Sequence, residues 1–185
     1  LQEALTRHSY KLDENRETAV AKRRKTGHRT VRENINEICD PDSFVEYGSL
    51  AIAAQRRRRT VQDLMVNTPG DGMVTGIGSV NGDLFPDQDT QCVVMSYDYM
   101  VLAGTQGLQN HRKKDRMFEV AEKLRLPIIL IAEGGGGRPG DTDGAGIAGL
   151  DCLAFQLYGA LSGLVPRIGI TTGRCFAGNA VLLGT

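Results

Sequence analysis

What this sequence lacks narrows its reading before any motif is considered. No apolar run approaches the ~20 residues that a membrane-spanning helix needs, and the first 25 residues are too charged for a secretory leader. A cytoplasmic location is therefore expected. Neither charge sign dominates, since 22 Lys and Arg balance 22 Asp and Glu, which argues against a general polyanion binder and against nucleic acid as a partner. Only three histidines occur, His8, His28 and His111, none spaced for a metal with a second ligand. The four cysteines, Cys39, Cys92, Cys152 and Cys175, contain no Cys-x-x-Cys pair. Neither a zinc ribbon nor a thioredoxin-type site is supported, and reduced structural thiols are expected. The absence of any Gly-Lys pair removes the triphosphate-binding P-loop, and no serine sits in a G-x-S-x-G elbow.

What is present is ordinary in bulk and unusual in one residue. Of 185 residues, 41% are hydrophobic and 24% charged, a soluble globular composition that excludes disorder, collagen and coiled coil. A chain of this length buries roughly 70% of its unfolded surface, enough for one core. The 23 glycines cluster in a few places instead of spreading through linkers. The chain starts at Leu1 and stops at Thr185 inside what reads as a helix just begun, so a piece of something longer is expected.

Residues 1–26 are dense in Glu, Lys and Arg with scattered Leu5, Leu12 and Val20, which reads as a charged helical segment, exposed or packed on a partner. Residues 27–185 form the rest of the domain. Thr30 three residues before Glu33 is a capping box, and Ile35 and Ile38 continue a short helix that ends at Asp40-Pro41. Val45 and Tyr47 suggest a brief strand. Residues 73–80 read as a longer one, followed by Asn81-Gly82 as a type I′ hairpin turn. A rhythm follows: a strand at 93–95, a helix from about Lys113 to Leu124, a strand at 128–131, a helix from about Leu150 to Leu161, a strand at 168–170 and a helix near Ala180. The helical stripes are Met117, Val120, Ala121 and Leu124, then Leu150, Leu153, Ala154, Leu157 and Leu161. Pro127 and Gly163 stop them. Apolar strands alternating with amphipathic helices mean an α/β protein with mostly parallel pairing, made less regular by the hairpin.

Gly134 to Gly137 follow an apolar strand and precede Arg138-Pro139-Gly140-Asp141. Without Cβ atoms, such a run lets a ligand approach the backbone and lets successive N–H groups point one way, an anion or oxyanion seat. A second turn, Gly173 to Asn179, opens the next helix, whose positive end strengthens its amides. Two such turns on adjacent strands face a common crevice. Gly135, Gly137 and Gly140, and also Gly144, Gly146 and Gly149, formally satisfy G-x-G-x-x-G. The first continues into a loop with Pro139 where a helix should start, the second lies far from its strand, and no acidic residue ends the following strand to hold a ribose. Glu133, Asp141 and Asp143 are candidates for proton transfer, although both aspartates are equally turn-formers. With no compelling acid–base pair, electrostatic stabilisation by backbone amides remains, where each donor is typically worth about 3 to 4 kcal/mol. Arg56 to Arg59 form either a solvated face or a phosphate contact; no aromatic residues interleave them as a single-strand platform would require.

The ordered segments Thr30-Val31-Arg32-Glu33, 40–46, Pro69 to Gly76, Asn81-Gly82, Asp98 to Thr105, Lys113, the glycine run with Arg138 and Gly173 to Ala180 together resemble one family. It is the carboxyltransferase component of biotin-dependent acyl-CoA carboxylases, in the N-terminal crotonase-like domain of its beta type. The resemblance implies a crotonase/ClpP-like spiral of ββα units, truncated before completion. It implies transfer of a carboxyl group from carboxybiotin, borne on a carrier domain, to the α-carbon of an acyl-CoA such as acetyl- or propionyl-CoA. Carried over by position, Gly136 and Gly137 match the amide donors to the thioester oxygen, and Gly178 and Asn179 match the neighbouring turn. Gly104, Thr105, Gly135 and Arg138 belong to the coenzyme A site, and Lys113 with Arg112 is placed for a coenzyme A phosphate. The implied partners are a biotin carboxyl carrier domain, a biotin carboxylase and the second carboxyltransferase domain of a partner subunit. The full-length protein should be a homo-oligomer, and this piece alone inactive. Two departures stand out: Gly134-Gly135-Gly136-Gly137-Arg138 replaces the family's usual Ser-Gly-Gly-Ala-Arg, and Pro139-Gly140-Asp141 follows it. The alternatives are an acyl-CoA decarboxylase or hydratase of the crotonase superfamily, or a non-catalytic scaffold domain.

Overall fold

The computed structural model describes residues 1–85, 90–144 and 152–185. Seven helices and five strands follow in chain order among them: α1 (Gln2–Ser9), α2 (Glu17–Lys25), α3 (Val31–Ile38), β1 (Val45–Tyr47), α4 (Val61–Asn67), β2 (Met73–Ser79), β3 (Gln91–Tyr97), α5 (Leu108–Leu124), β4 (Ile128–Gly135), α6 (Ala154–Ala160), β5 (Arg167–Phe176) and α7 (Ala177–Gly184). The strands form one sheet in the order of the chain. β1–β2 and β2–β3 are antiparallel, whereas β3–β4 and β4–β5 are parallel and joined by helical crossovers. The pairing is therefore mixed, not mostly parallel.

Alternation along the strands sends side chains to two cores. On one face Met95, Tyr97, Ile128 and Leu130 pack with Met117 and Phe118 of α5, Tyr158 of α6 and Leu182 of α7. On the other, Val94, Ile129 and Ile131 pack with Val31 and Ile35 of α3. β4, covered on both faces, is buried along its whole length. That is why it reads as continuous apolar sequence.

Several local expectations hold. The Thr30 hydroxyl accepts from the Glu33 amide while the Glu33 carboxylate accepts from the Thr30 amide, a complete capping box. β1 occupies the expected residues. α5 ends at Arg125, whose φ of 56° is left-handed, just before Pro127.

Other expectations need correction. The first 26 residues form two helices, not one, separated by a 3₁₀ turn at Asp13–Asn15. They are anchored on the sheet: Arg16 pairs with Asp98 at 2.6 Å with both side chains buried. β2 and β3 do pair, but residues 80–90 connect them in place of a two-residue turn. Asn81 has the left-handed φ of 59°, but the Gly82 amide instead donates to the Asp40 carboxylate at 2.8 Å. α5 begins five residues before Lys113, and its buried stripe runs through Met117, Phe118 and Ala121, leaving Leu124 exposed. α6 starts at Ala154 and buries Ala154 and Tyr158, whereas Leu153 is exposed; Leu150 lies outside the described residues. β5 is much longer than the expected three residues and carries Gly173 to Phe176 within it.

Candidate active site

The parallel strands β4 and β5 end side by side, with Gly135 paired to Phe176. Three glycines there have φ in the region L side chains avoid: Gly134 at 70°, Gly135 at 150° and Gly136 at 81°. They serve different purposes. A Cβ on Gly134 would collide with the Ala103 carbonyl, and one on Gly135 with the Phe176 carbonyl. Both are small because neighbouring backbone passes through that space. Gly136 has no heavy atom within 4 Å of its Cβ position, so its bare side faces open space. Gly137 is exposed and forms a short parallel bridge with Gln106.

The second turn sits beside the first. Phe176 is the last residue of β5 and the N-cap of α7, and Ala177 turns the chain with a φ of 48°. The amides of Ala177, Gly178 and Asn179 are therefore the first-turn donors of α7, without partners in their own helix. Among the described residues, the Gly136 and Gly137 amides donate to no backbone carbonyl outside the sheet ladder. Two groups of main-chain N–H donors thus lie at adjacent strand ends, next to open space at Gly136.

The side chains around the turns form a scaffold behind them. Asn179 is wholly buried. Its Nδ2 donates to the carbonyls of Gly104 and Glu133, each at 2.9 Å, and its Oδ1 accepts from Gln106 Nε2 at 2.8 Å. Gly104, at φ 66°, lacks the Cβ that would stand 2.6 Å from the Glu133 carbonyl. Arg138 is buried: its guanidinium pairs with Asp71, donates to the Thr105 carbonyl at 2.7 Å and reaches the Thr105 hydroxyl at 3.1 Å. Asp71 in turn accepts from the Asn110 amide at 2.8 Å.

Three sequence expectations change here. The Arg138 guanidinium is turned inward and is committed to Asp71 and Thr105, so it is a brace behind the turn and not an exposed ligand. Lys113 is buried in the second turn of α5, not at its start, and its ammonium donates to the carbonyls of Gly70 (3.0 Å) and Met73. Burial lowers its pKa to about 8, against the pull of Glu46 and Asp71. With its donors engaged inside, Lys113 does not present a cation to a phosphate. Asn179 contributes its main-chain amide to the turn, but its side chain is a clamp. By contrast Arg112 is exposed and makes a 3.4 Å contact to Gln109.

The acidic candidates are also engaged. Glu133 forms a buried bidentate pair with Arg23 and accepts from the Thr172 hydroxyl at 3.0 Å. Asp141 accepts from the Leu108 amide at the start of α5 at 2.9 Å and from Gln55 at 3.1 Å. Asp143 accepts from Arg56 at 2.8 Å. Both aspartates are received by groups distant in sequence, so they act as ties between segments and not as the local turn-formers expected. Among the described residues no cluster of potential metal ligands occurs. Among the described residues no helix opens at Gly140 or over the four residues that follow it, which is where that dinucleotide match needs one; Gly146 and Gly149 of the second lie outside the described residues. Sequence reasoning missed Gln106, Arg23, Asp71 and Asn110. Only the Pro69-Gly70-Asp71-Gly72 turn, with left-handed φ at Gly70, Asp71 and Gly72, carried a visible signal.

The open five-stranded sheet, antiparallel at β1–β3 and parallel at β3–β5, matches crotonase-like α/β structures. Within that class, the chain belongs to the carboxyl transferase domain family, whose model matches residues 22–183. It is 39% identical to the biotin-dependent long chain acyl-coenzyme A carboxylase beta4 subunit of Mycobacterium tuberculosis, over 89% of this chain and 28% of that one. It is 35% identical to the propionyl-CoA carboxylase beta chain of Saccharopolyspora erythraea, with the same coverage of each. Among solved structures, a single-chain, multi-domain long-chain acyl-CoA carboxylase matches 99% of this chain and 18% of its own, at 56% identity and a TM-score of 0.93. A hexameric transcarboxylase 12S with hydrolysed methylmalonyl-coenzyme A bound matches 98% of this chain and 33% of its own, at 28% identity and a TM-score of 0.76. The expected fold class agrees with these structures. The chain spans less than a third of the length of the curated relatives named here.

Proposed function

We propose that this chain is the acyl-CoA-binding part of an enzyme that moves a carboxyl group from carboxybiotin to the α-carbon of an acyl-CoA. The observation that supports this best is the pairing of Gly135 with Phe176, which sets the two amide turns side by side next to the open space at Gly136. A thioester carbonyl fits that space with its oxygen on the Gly136 and Gly137 amides. Loss of the α-proton puts negative charge on that oxygen, and donors already aimed there stabilise the enolate more than the neutral ester. Carboxybiotin would supply the electrophilic carboxyl group and, once it has released it, a proton acceptor.

The chain's own residues would bind and orient. Gly136 and Gly137 hold the developing oxyanion, and the α7 first turn at Gly178 and Asn179 adds a second group of donors. Gly104, Thr105, Gly135 and Arg138 fix the turn from behind. For the coenzyme A phosphates, exposed Arg112 replaces Lys113, and the exposed Arg56 to Arg58 lie close by because Arg56 is strapped to Asp143, six residues beyond Gly137. The full-length protein would be a cytoplasmic homo-oligomer. It would work with a biotin carboxyl carrier domain, a biotin carboxylase and a second carboxyltransferase domain from a partner subunit.

The test is carboxylation of acetyl- and propionyl-CoA by the full-length enzyme, with calorimetry comparing acyl-CoA with NAD. Binding of NAD in place of acyl-CoA, or turnover unaffected by Gly136→Val, would overturn the proposal.

A further inference from the structure

The Gly135–Phe176 pair joins the two amide turns at their bases, and beyond that pair their relative position depends on side chains that reach across. Gln106 touches both. Its main chain brackets Gly137: the Gln106 amide donates to the Gly136 carbonyl at 2.8 Å, and its carbonyl accepts from the Arg138 amide at 2.9 Å. Its side chain crosses to the other turn, where Nε2 donates to Asn179 Oδ1 at 2.8 Å. Gly178 makes room for it, since a Cβ there would stand 2.6 Å from Gln106 Nε2.

The hydrogen-bond pattern determines the orientation of both amide groups. Asn179 must direct Nδ2 at the Gly104 and Glu133 carbonyls, because its oxygen could not donate to them. Oδ1 therefore faces Gln106, and Gln106 must present nitrogen. The cost is visible: Gln106 Oε1 is buried without a hydrogen-bond partner among the described residues, at a residue only 1% exposed. A buried acceptor left unpaired destabilises the fold, a penalty that an apolar residue of the same shape avoids. Local rules broken at a stability cost are found where a residue serves function.

We infer that Gln106 is a positioning residue: through Asn179 it sets the spacing of the two amide turns, so that both groups of donors converge on one reacting centre. This rests on the function proposed above. Gln106 is only 1% exposed, which keeps its side chain from direct contact with a bound substrate, so its effect should appear in the transition state and not in substrate binding.

The experiment uses the full-length enzyme with Gln106→Met, an isostere that cannot donate, and a second pair, Gly178→Ala alone and with Gln106→Ala. For Gln106→Met the expected result is a fall in kcat of about tenfold or more with KM for acyl-CoA held within about twofold. Its Tm should shift little, because the unpaired Gln106 Oε1 leaves while Asn179 Oδ1 becomes unpaired in its place, and the two effects offset. Gly178→Ala should lose activity through collision with the Gln106 amide and regain part of it with Gln106→Ala. Unchanged kcat in Gln106→Met overturns the inference, as does a loss that merely follows the fraction of folded protein, or the absence of any rescue in the second pair. A wild-type enzyme that carboxylates no acyl-CoA overturns the proposed function instead, and this inference with it.

Discussion

Arg23 and Glu133 are 110 residues apart in the chain and meet as a buried bidentate guanidinium–carboxylate pair. The Arg23 guanidinium also lies over the Tyr99 ring at 5.2 Å, and its Nε donates to the Arg29 carbonyl at 2.8 Å. Glu133 immediately precedes the glycine run. The contact therefore ties the charged N-terminal segment to the strand end that carries the amide donors. A segment that reads in sequence as exposed or packed on a partner is packed on this chain's own strand end instead.

Removing one partner of this pair should be worse than removing both. Arg23→Met leaves a buried carboxylate uncompensated and is expected to cost about 3 to 5 kcal/mol, most of it recovered in Arg23→Met with Glu133→Gln. Chemical denaturation of the three proteins checks this. A single variant within about 1 kcal/mol of wild type would contradict it.

The four glycines of the run should not respond alike to alanine. Gly136→Ala has space for its Cβ and strains only the backbone, at about 1 to 3 kcal/mol. It should fold, and in the full-length enzyme carboxylation should fall because the open side of the turn is filled. Gly135→Ala drives a Cβ into the Phe176 carbonyl and should fail to fold. Circular dichroism and turnover together distinguish the two, and equal stability of both variants would contradict the geometry.

His111 predicts acid sensitivity. It is buried with neither ring nitrogen hydrogen-bonded among the described residues. Burial first, then Lys114 and Arg138, push its pKa down to about 3 from an ordinary 6.5. Between those values the unfolded chain holds the proton and the folded chain does not, so stability falls as pH drops from about 6.5 towards 3. Urea titrations across that window should show a smaller fall for His111→Leu. An identical slope would remove His111 as the cause.

Lys114 predicts a second window on the alkaline side. It is wholly buried against Tyr97, with Nζ 3.0 Å from the phenol oxygen, and burial lowers its pKa to about 7 from 10.5. The unfolded chain binds more protons between those values, so this residue makes stability rise with pH from about 7 to 10.5. Lys114→Met should gain most at or below pH 7, with the gain shrinking toward pH 10. A gain independent of pH would point to packing instead.

How much of this was legible depended on range. The Thr30–Glu33 capping box involves groups three residues apart, so local sequence suffices. The apolar run at 128–131 identified β4 because burial on both faces leaves no alternation to misread. The β2–β3 connection was misjudged because Asn81-Gly82 favours a tight turn locally, whereas Asp40, over 40 residues away, captures the Gly82 amide. Lys113 and Arg138 looked like surface cations for the same reason: a charge in a sequence does not reveal the carbonyls or carboxylate that will receive it.

The order of residues alone determined that glycine would stand at two strand ends and that amphipathic helices would separate apolar strands, because backbone freedom and hydrophobic period are properties of short stretches of chain. Only the tertiary structure decided which glycines face open space and which yield it to a passing carbonyl. It also decided that Gln106 and Asn179 would join the two turns. Those outcomes depend on contacts between segments distant in sequence, where close packing and the need to pair every buried polar group select one partner from many.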